Sequence, residues 1–162
     1  MKKLCTTLTL IIIMLFTAAF PCYAASTTDT TTVNTEYEYY DDGSYAIINT
    51  IIEGSHTTGV TPLATTKSKT ASRTYSYYNQ KNQKAWSMTL TAKFSYNGSS
   101  ATATSSSVSH TIYINGWSCS SKSATKSGAT AKATGKFKYS TLTKTKTIGL
   151  KCSRTGTISA VN

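Results

Sequence analysis

The residues from Ala85 to Tyr96 alternate between apolar and polar side chains. The apolar positions are Trp86, Met88, Leu90, Ala92, Phe94 and Tyr96. Serine, threonine and lysine fill the positions between them. Because successive side chains of a strand point to opposite faces of its sheet, this alternation predicts a strand with one face against a core and the other against water.

The same two-residue period recurs between turn sequences rich in glycine and asparagine. It is found in residues 35–40, 45–53, 72–78, 108–114, 117–124, 129–139, 143–152 and 157–161. Asp42-Gly43, Asn97-Gly98 and Asn115-Gly116 separate neighbouring runs and are typical of tight turns. Eight or nine short strands predict an all-β fold, namely an antiparallel β-sandwich of immunoglobulin-like or Greek-key type. A small closed β-barrel is the alternative.

The first 24 residues have the layout of a secretory signal peptide. Lys2 and Lys3 precede an apolar run from Leu8 to Phe20, which is short for a helix that must span about 30 Å of bilayer. The small side chain of Ala24 favours cleavage between Ala24 and Ala25. We therefore expect a secreted, extracellular protein with no stable membrane anchor.

The cysteines support the same compartment. Cleavage removes Cys5 and Cys22 and leaves Cys119 and Cys152, an even pair that predicts a disulfide in an oxidising environment. Such a bridge would stabilise the fold by about 3–4 kcal/mol in the chain-entropy model. Alternatively, the signal peptide could end before a lipid-modified Cys22, although the rigid Pro21 stands where a small residue is expected.

The mature chain divides into four stretches of one domain. Residues 25–34 are rich in threonine and predict a flexible leader. Residues 35–53 form an acidic hairpin, residues 54–69 a loop, and residues 70–162 a basic body. The β domain as a whole therefore spans 35–162.

Charge is distributed unevenly along this domain. All six carboxylates precede residue 54, namely Asp29, Glu36, Glu38, Asp41, Asp42 and Glu53. Of the 17 lysines and arginines, only Lys2 and Lys3 precede residue 54. A carboxylate-free cationic body attracts anionic cell-wall or surface polymers, and the acidic hairpin 35–53 can dock on the body of the same or a neighbouring molecule. The alternative is that the lysines only keep the protein soluble.

One strand concentrates lysines on a single face. Ala129, Ala131, Ala133, Phe137 and Tyr139 alternate with polar residues that include Lys132, Lys136 and Lys138. We expect these three lysines to form a polyanion-binding ladder, which Lys144 and Lys146 extend on a neighbouring strand. A row of edge lysines that blocks sheet aggregation is the alternative. Exposed Tyr37, Tyr39 or Tyr40 could also stack on sugar rings, although core packing explains many of the tyrosines equally well.

The residue set gives little support for catalysis. Facing carboxylates for a glycosidase or an aspartic protease would both have to come from the hairpin. A serine hydrolase would need His56 or His110 oriented by one of the same acids, and no Gly-x-Ser-x-Gly elbow occurs. We therefore expect a protein that is not an enzyme, with no catalytic residue, no cofactor and no metal site.

Several of these motifs together resemble a known group of proteins. They are Asp42-Gly43-Ser44-Tyr45, Trp86, Phe94-Ser95-Tyr96-Asn97-Gly98, Trp117, Lys126-Ser127-Gly128 and Cys152 before Gly156. Across most of the mature chain the sequence is similar to small secreted β-rich proteins of Gram-positive gut bacteria. The resemblance implies export and a β-fold, and it carries over no catalytic residue.

The leading hypothesis is a secreted non-enzymatic β-sandwich that associates with anionic cell-envelope or host-surface polymers, with nucleic acid not expected as a partner. A secreted antagonist, bacteriocin-like or cytolytic, is one alternative. A self-assembling extracellular structural protein, joined through the hairpin 35–53, is the other.

Overall fold

The structure is a computed structural model that describes residues 32–54, 56–57 and 66–161. The expected signal peptide, its cleavage site and residues 25–31 of the expected leader lie outside the described residues. Within these residues the chain forms nine strands of four residues or more and one two-residue strand. They are β1 (Thr32–Tyr39), β2 (Tyr45–Ile52), β3 (His56–Thr57), β4 (Lys67–Tyr78), β5 (Lys84–Tyr96), β6 (Ala101–Ile112), β7 (Trp117–Ser127), β8 (Thr130–Tyr139), β9 (Leu142–Cys152) and β10 (Ile158–Val161).

The strands form two antiparallel sheets. The larger has the order β1-β2-β4-β5-β6, with β3 paired to β4, and the smaller has the order β10-β9-β8-β7. The predicted all-β sandwich is confirmed, and the described strands do not close into a barrel. Apart from the short β3, neighbours in each sheet follow one another along the chain, so the sheets are two meanders and the described strands contain no Greek-key connection.

The hairpin of β1 and β2 forms where its turn sequence predicts it. Gly43 has a φ of +76°, a conformation that side chains with a Cβ rarely adopt. The Asp42 carboxylate accepts a hydrogen bond from the Ser44 backbone nitrogen at 2.9 Å and fixes the turn. Pairing reaches back to Thr32, which lies opposite Ile52, so the strand begins inside the stretch expected to be a leader.

The core lies between the inner faces of the two sheets. Trp86 of β5 stacks on Phe137 of β8 with ring centroids 3.8 Å apart and planes 9° apart. The predicted apolar face of β5 is confirmed, because its side chains from Trp86 to Tyr96 are all buried, but Ser87 on the face predicted to meet water is buried too. Gly135 lies beside this stack, where an added Cβ would fall 2.5 Å from the Met88 sulfur. Only a residue without a side chain lets the two sheets approach this closely.

One side of the sandwich is closed where the chain passes between the sheets. Residues 113–116 connect β6, at the edge of the larger sheet, to β7, at the edge of the smaller one. The described residues contain no helix, and hence none long and apolar enough to cross a membrane.

Candidate functional site

The lysines predicted to bind anions fall on both faces of the smaller sheet. Lys132, Lys136 and Lys138 of β8 alternate with the buried Ala131, Ala133, Gly135 and Phe137, and so they point away from the core. At a strand rise of about 3.3 Å, Lys132 and Lys138 are about 20 Å apart along β8. Lys151 of β9 joins them, because it lies opposite Thr130 on the same outer side. We call Lys132, Lys136, Lys138 and Lys151 the outer lysine face.

Lys144 and Lys146 do not belong to this face. In the β8–β9 register, Lys144 lies opposite Phe137 and Lys146 lies opposite Gly135, both on the inner side of the sheet. Their β9 neighbours of the same phase, Ile148 and Leu150, are buried in the core. The expectation that these two lysines extend the ladder of β8 is therefore wrong, because they lie on the opposite side of the sheet.

Both inner lysines instead contact the acidic hairpin of the same chain. The Lys146 Nζ lies 2.6 Å and 2.8 Å from the two carboxylate oxygens of Glu38. The Lys144 Nζ lies 3.8 Å from an oxygen of Asp42. These contacts join β9 of the smaller sheet to the hairpin of the larger sheet, so the acidic hairpin docks on the basic body within one molecule.

A third hairpin carboxylate pairs with a buried arginine. Arg73 of β4 donates hydrogen bonds from its two terminal nitrogens to the two oxygens of Glu36, at 3.2 Å and 3.0 Å. Its side chain is only 3% exposed, and Thr50 Oγ1 lies 3.4 Å from the guanidinium. We call Glu36–Arg73, Glu38–Lys146 and Asp42–Lys144 the hairpin ion pairs.

Two tyrosines complete the group around Glu38. The Tyr40 hydroxyl donates to Glu38 at 3.1 Å and is also hydrogen-bonded to the Tyr75 hydroxyl. Burial raises the pKa of both Tyr40 and Tyr75, and the hydrogen bond that Tyr75 donates to Tyr40 raises the pKa of Tyr75 further. Both phenols are therefore protonated at neutral pH and act as hydrogen-bonding groups rather than as bases.

The two cysteines lie at opposite ends of the smaller sheet. Cys119 of β7 is opposite Phe137, whereas the backbone nitrogen of Cys152 donates to the carbonyl of Ala129. Eight residues of β8 separate these two positions, about 26 Å at the strand rise. A disulfide needs Cα atoms within about 7 Å, so the predicted Cys119–Cys152 bridge is wrong for this fold and both thiols are free.

His110 is positioned by a cation rather than by an acid. The Lys122 Nζ lies 3.1 Å from its Nδ1, and the ring edge packs against Phe137 with centroids 6.1 Å apart. Burial lowers the pKa of His110, and the charge of Lys122 lowers it further. The imidazole is therefore neutral at pH 7 and accepts a hydrogen bond from the lysine.

No grouping typical of a metal site or a catalytic triad occurs in the part of the chain that the structure describes. There, no three histidine, cysteine, aspartate or glutamate side chains gather where they could hold a metal ion. The side chain of His56 lies outside the described residues. Glu36 and Glu38 are each held by a different cation, Arg73 and Lys146.

Comparison of the chain with protein-family models, with curated proteins and with solved structures finds no match.

Proposed function

We propose that this protein is a secreted, non-enzymatic β-sandwich that associates with anionic cell-envelope or host-surface polymers through the outer lysine face. The observation that carries the proposal is the separation of charge between the two sheets. No carboxylate occurs between residues 54 and 162, so none lies in any strand of the smaller sheet. The positive potential of that face is thus not cancelled by an acid on the same sheet.

The hairpin ion pairs strengthen this argument. Glu36, Glu38 and Asp42 are held at cations on the inner side of the sandwich. Their negative charge therefore compensates inner cations, while the outer lysines remain on the opposite face of β8 and β9. The polymer-binding set accordingly becomes Lys132, Lys136, Lys138 and Lys151, and Lys144 and Lys146 become structural residues.

Hydroxyl groups lie between these lysines. Thr145 of β9 is opposite Lys136, and Thr143 is opposite Lys138, both exposed on the outer side. Hydroxyls donate hydrogen bonds to phosphate, sulfate or carboxylate oxygens, as lysines do. A face of neighbouring ammonium and hydroxyl groups suits a polymer with a repeating anion, held mainly by Coulomb attraction.

The test compares two charge-matched triple variants of the chain that starts at Ala25. The first, K132S/K136S/K138S, removes three charges from the outer face. The control, K67S/K84S/K93S, removes three charges from β4 and β5 of the other sheet. Binding to immobilised heparin and to isolated Gram-positive cell walls is measured for both variants and for the unaltered chain.

We expect the outer-face variant to bind roughly 100-fold more weakly, since each lysine near an anionic surface contributes about 1 kcal/mol. The control variant should lose less than about a third of the binding free energy that the outer-face variant loses. Equal losses in both variants would mean that only net charge matters, and the proposed face would then be incorrect.

The two alternative functions have less support from the residue contacts. Self-assembly through the hairpin would need carboxylates directed at a neighbour, yet three of them contact cations of the same chain. No arrangement of the described residues favours a cytolytic or bacteriocin-like role.

A further inference from the structure

A cleft opens at one end of the sandwich, where four chain turns meet. These turns connect β1 to β2, β4 to β5, β6 to β7, and β8 to β9. The cleft has a volume of about 380 Å³, within the usual range of small-molecule sites. Its lining residues are Asp42, Tyr77, Asn79, Gln80, Lys81, Gln83, Ile114, Trp117, Tyr139 and Leu142. None of them belongs to the outer lysine face.

Aromatic rings form one wall of this cleft. Trp117 packs edge-on against the buried Tyr77, with centroids 5.6 Å apart, and lies 5.5 Å from the ring of Tyr139. Tyr139 is 44% exposed, and its neighbour Leu142 is also exposed. Two large exposed side chains beside a half-buried tryptophan make a surface that a ligand could cover.

Local geometry holds this aromatic wall in place. Gly116, in the turn before Trp117, has a φ of +92°, and an added Cβ would lie 2.7 Å from the Tyr139 ring. Only glycine therefore lets that ring lie against the turn. Because the ring is already positioned, a ligand that stacks on it loses less free energy to ordering.

The turn between β4 and β5 adds amides to the lining of the cleft, and hydrogen bonds fix its conformation. The Asn79 side-chain oxygen accepts hydrogen bonds from the backbone nitrogens of Lys81 and Gln83, at 2.9 Å and 3.0 Å. The Asn79 amide nitrogen donates to the Gln83 side-chain oxygen at 3.1 Å. Gln80, at the tip of this turn, is exposed beside the cleft. The turn thus places at the cleft the exposed carboxamide of Gln80, a group that both donates and accepts hydrogen bonds.

We propose that this cleft binds an uncharged pyranose unit of a glycan. A sugar ring has an apolar C–H face that packs on aromatic rings, and a rim of hydroxyls that pair with amides and carboxylates. A purely apolar ligand would cover the exposed carboxamide of Gln80 without giving it a hydrogen-bonding partner, which is unfavourable. The cleft is lined by one carboxylate, that of Asp42, which contacts Lys144, and by one ammonium, that of Lys81. The other lining residues are uncharged, as suits a neutral ligand.

The test uses neutral oligosaccharides as probes. Hexamers of glucose, mannose, galactose and N-acetylglucosamine are titrated into the chain starting at Ala25, with tryptophan fluorescence and calorimetry as readouts. We expect saturable binding of at least one hexamer, unchanged when the salt concentration rises tenfold. If none of the four hexamers saturates the protein at concentrations up to about 10 mM, the proposal is overturned. Such a result would mean a binding free energy of less than about 3 kcal/mol for each hexamer.

Three variants locate the site. Tyr139→Ala and Gln80→Ala change different parts of the cleft lining, and each should weaken binding at least fivefold. Gln80 lies on an exposed turn, so its substitution should leave the fold intact even if Tyr139→Ala disturbs it. Tyr37→Ala is the matched control, since Tyr37 is 59% exposed on β1 and lies outside the cleft. Equal weakening by Tyr37→Ala would contradict the assignment.

This proposal can fail independently of the polyanion face. K132S/K136S/K138S should leave neutral-sugar binding unchanged, and Tyr139→Ala should leave heparin binding unchanged. A single variant that abolished both activities would contradict the existence of two separate sites.

Discussion

Removing the Glu36 carboxylate should destabilise the protein more than removing any other hairpin carboxylate. The substitution Glu36→Gln preserves the size of the side chain but leaves Arg73 without its anionic partner. A guanidinium cannot lose its proton in a protein, so the positive charge must stay where the fold places it. At 3% side-chain exposure, Arg73 cannot transfer that charge to water without local unfolding.

The magnitude follows from the exposure of the two partners. Removing one partner of a fully buried ion pair costs about 3–5 kcal/mol. Glu36 is 39% exposed, so water reaches one side of the guanidinium, and we expect a loss of about 2–3 kcal/mol. Glu38→Gln should cost about 1 kcal/mol, because Lys146 is 24% exposed and flexible enough to turn toward solvent. Asp42→Asn should cost less still, since its contact with Lys144 is 3.8 Å long.

Urea denaturation of the three variants, followed by tryptophan fluorescence and circular dichroism, measures these free energies of unfolding. A fourth variant, E36Q/R73M, removes the buried charge together with its partner and should recover at least half of the loss. A loss below about 1 kcal/mol for Glu36→Gln, or no recovery in the double variant, would refute the reasoning.

Two further predictions concern the cysteines and the histidine. The chain starting at Ala25 should contain two free thiols, with Cys119 alkylated in the native state and Cys152 mainly after unfolding, because burial raises the pKa of the Cys152 thiol. A mass two hydrogens lower, restored by reduction, would contradict this. His110 has a lowered pKa in the fold, so the unfolded chain binds the proton first and stability should fall as the pH drops below about 7. His110→Gln should remove that part of the pH dependence in urea denaturation, and an unchanged pH profile would show that Lys122 and burial do not perturb the histidine.

The strands and turns could be predicted from the sequence because they depend on short-range patterns. The period of two over residues 85–96 predicts the buried apolar face of β5, and the structure confirms that face. Ala85 and Ser87 of the opposite face are buried as well, which the period does not predict. Asp42-Gly43 and Asn97-Gly98 were predicted as turns, and both glycines have positive φ values. These features need no knowledge of which strands are neighbours.

The phase of β9 relative to β8 could not be predicted in the same way. Two residues connect Tyr139 to Leu142. This turn length pairs odd-numbered residues of β8 with even-numbered residues of β9. Lys144 is therefore on the side of Phe137, opposite to the lysines of β8. A turn one residue longer would have placed Lys144 on the same face as the lysines of β8. The positions of the lysines in the sequence therefore do not predict which of them share a face.

The disulfide prediction failed for a related reason. An even number of cysteines in an exported chain indicates pairing, but pairing also requires that the fold bring the two residues together. Cys119 lies near the start of β7 and Cys152 ends β9, and the register places them at opposite ends of β8. The cleft was also missed, because its residues come from four turns far apart in the sequence.

The dependence of heparin affinity on salt tests the central claim most directly. Each anion contact on a flexible polyanion changes the slope of log Kd against log salt concentration by about 0.7, so K132S/K136S/K138S should lower the slope by about 2. The charge-matched K67S/K84S/K93S should keep the slope of the unaltered chain. If both variants lower the slope equally, or if neither does, the outer lysine face is not the polymer-binding site.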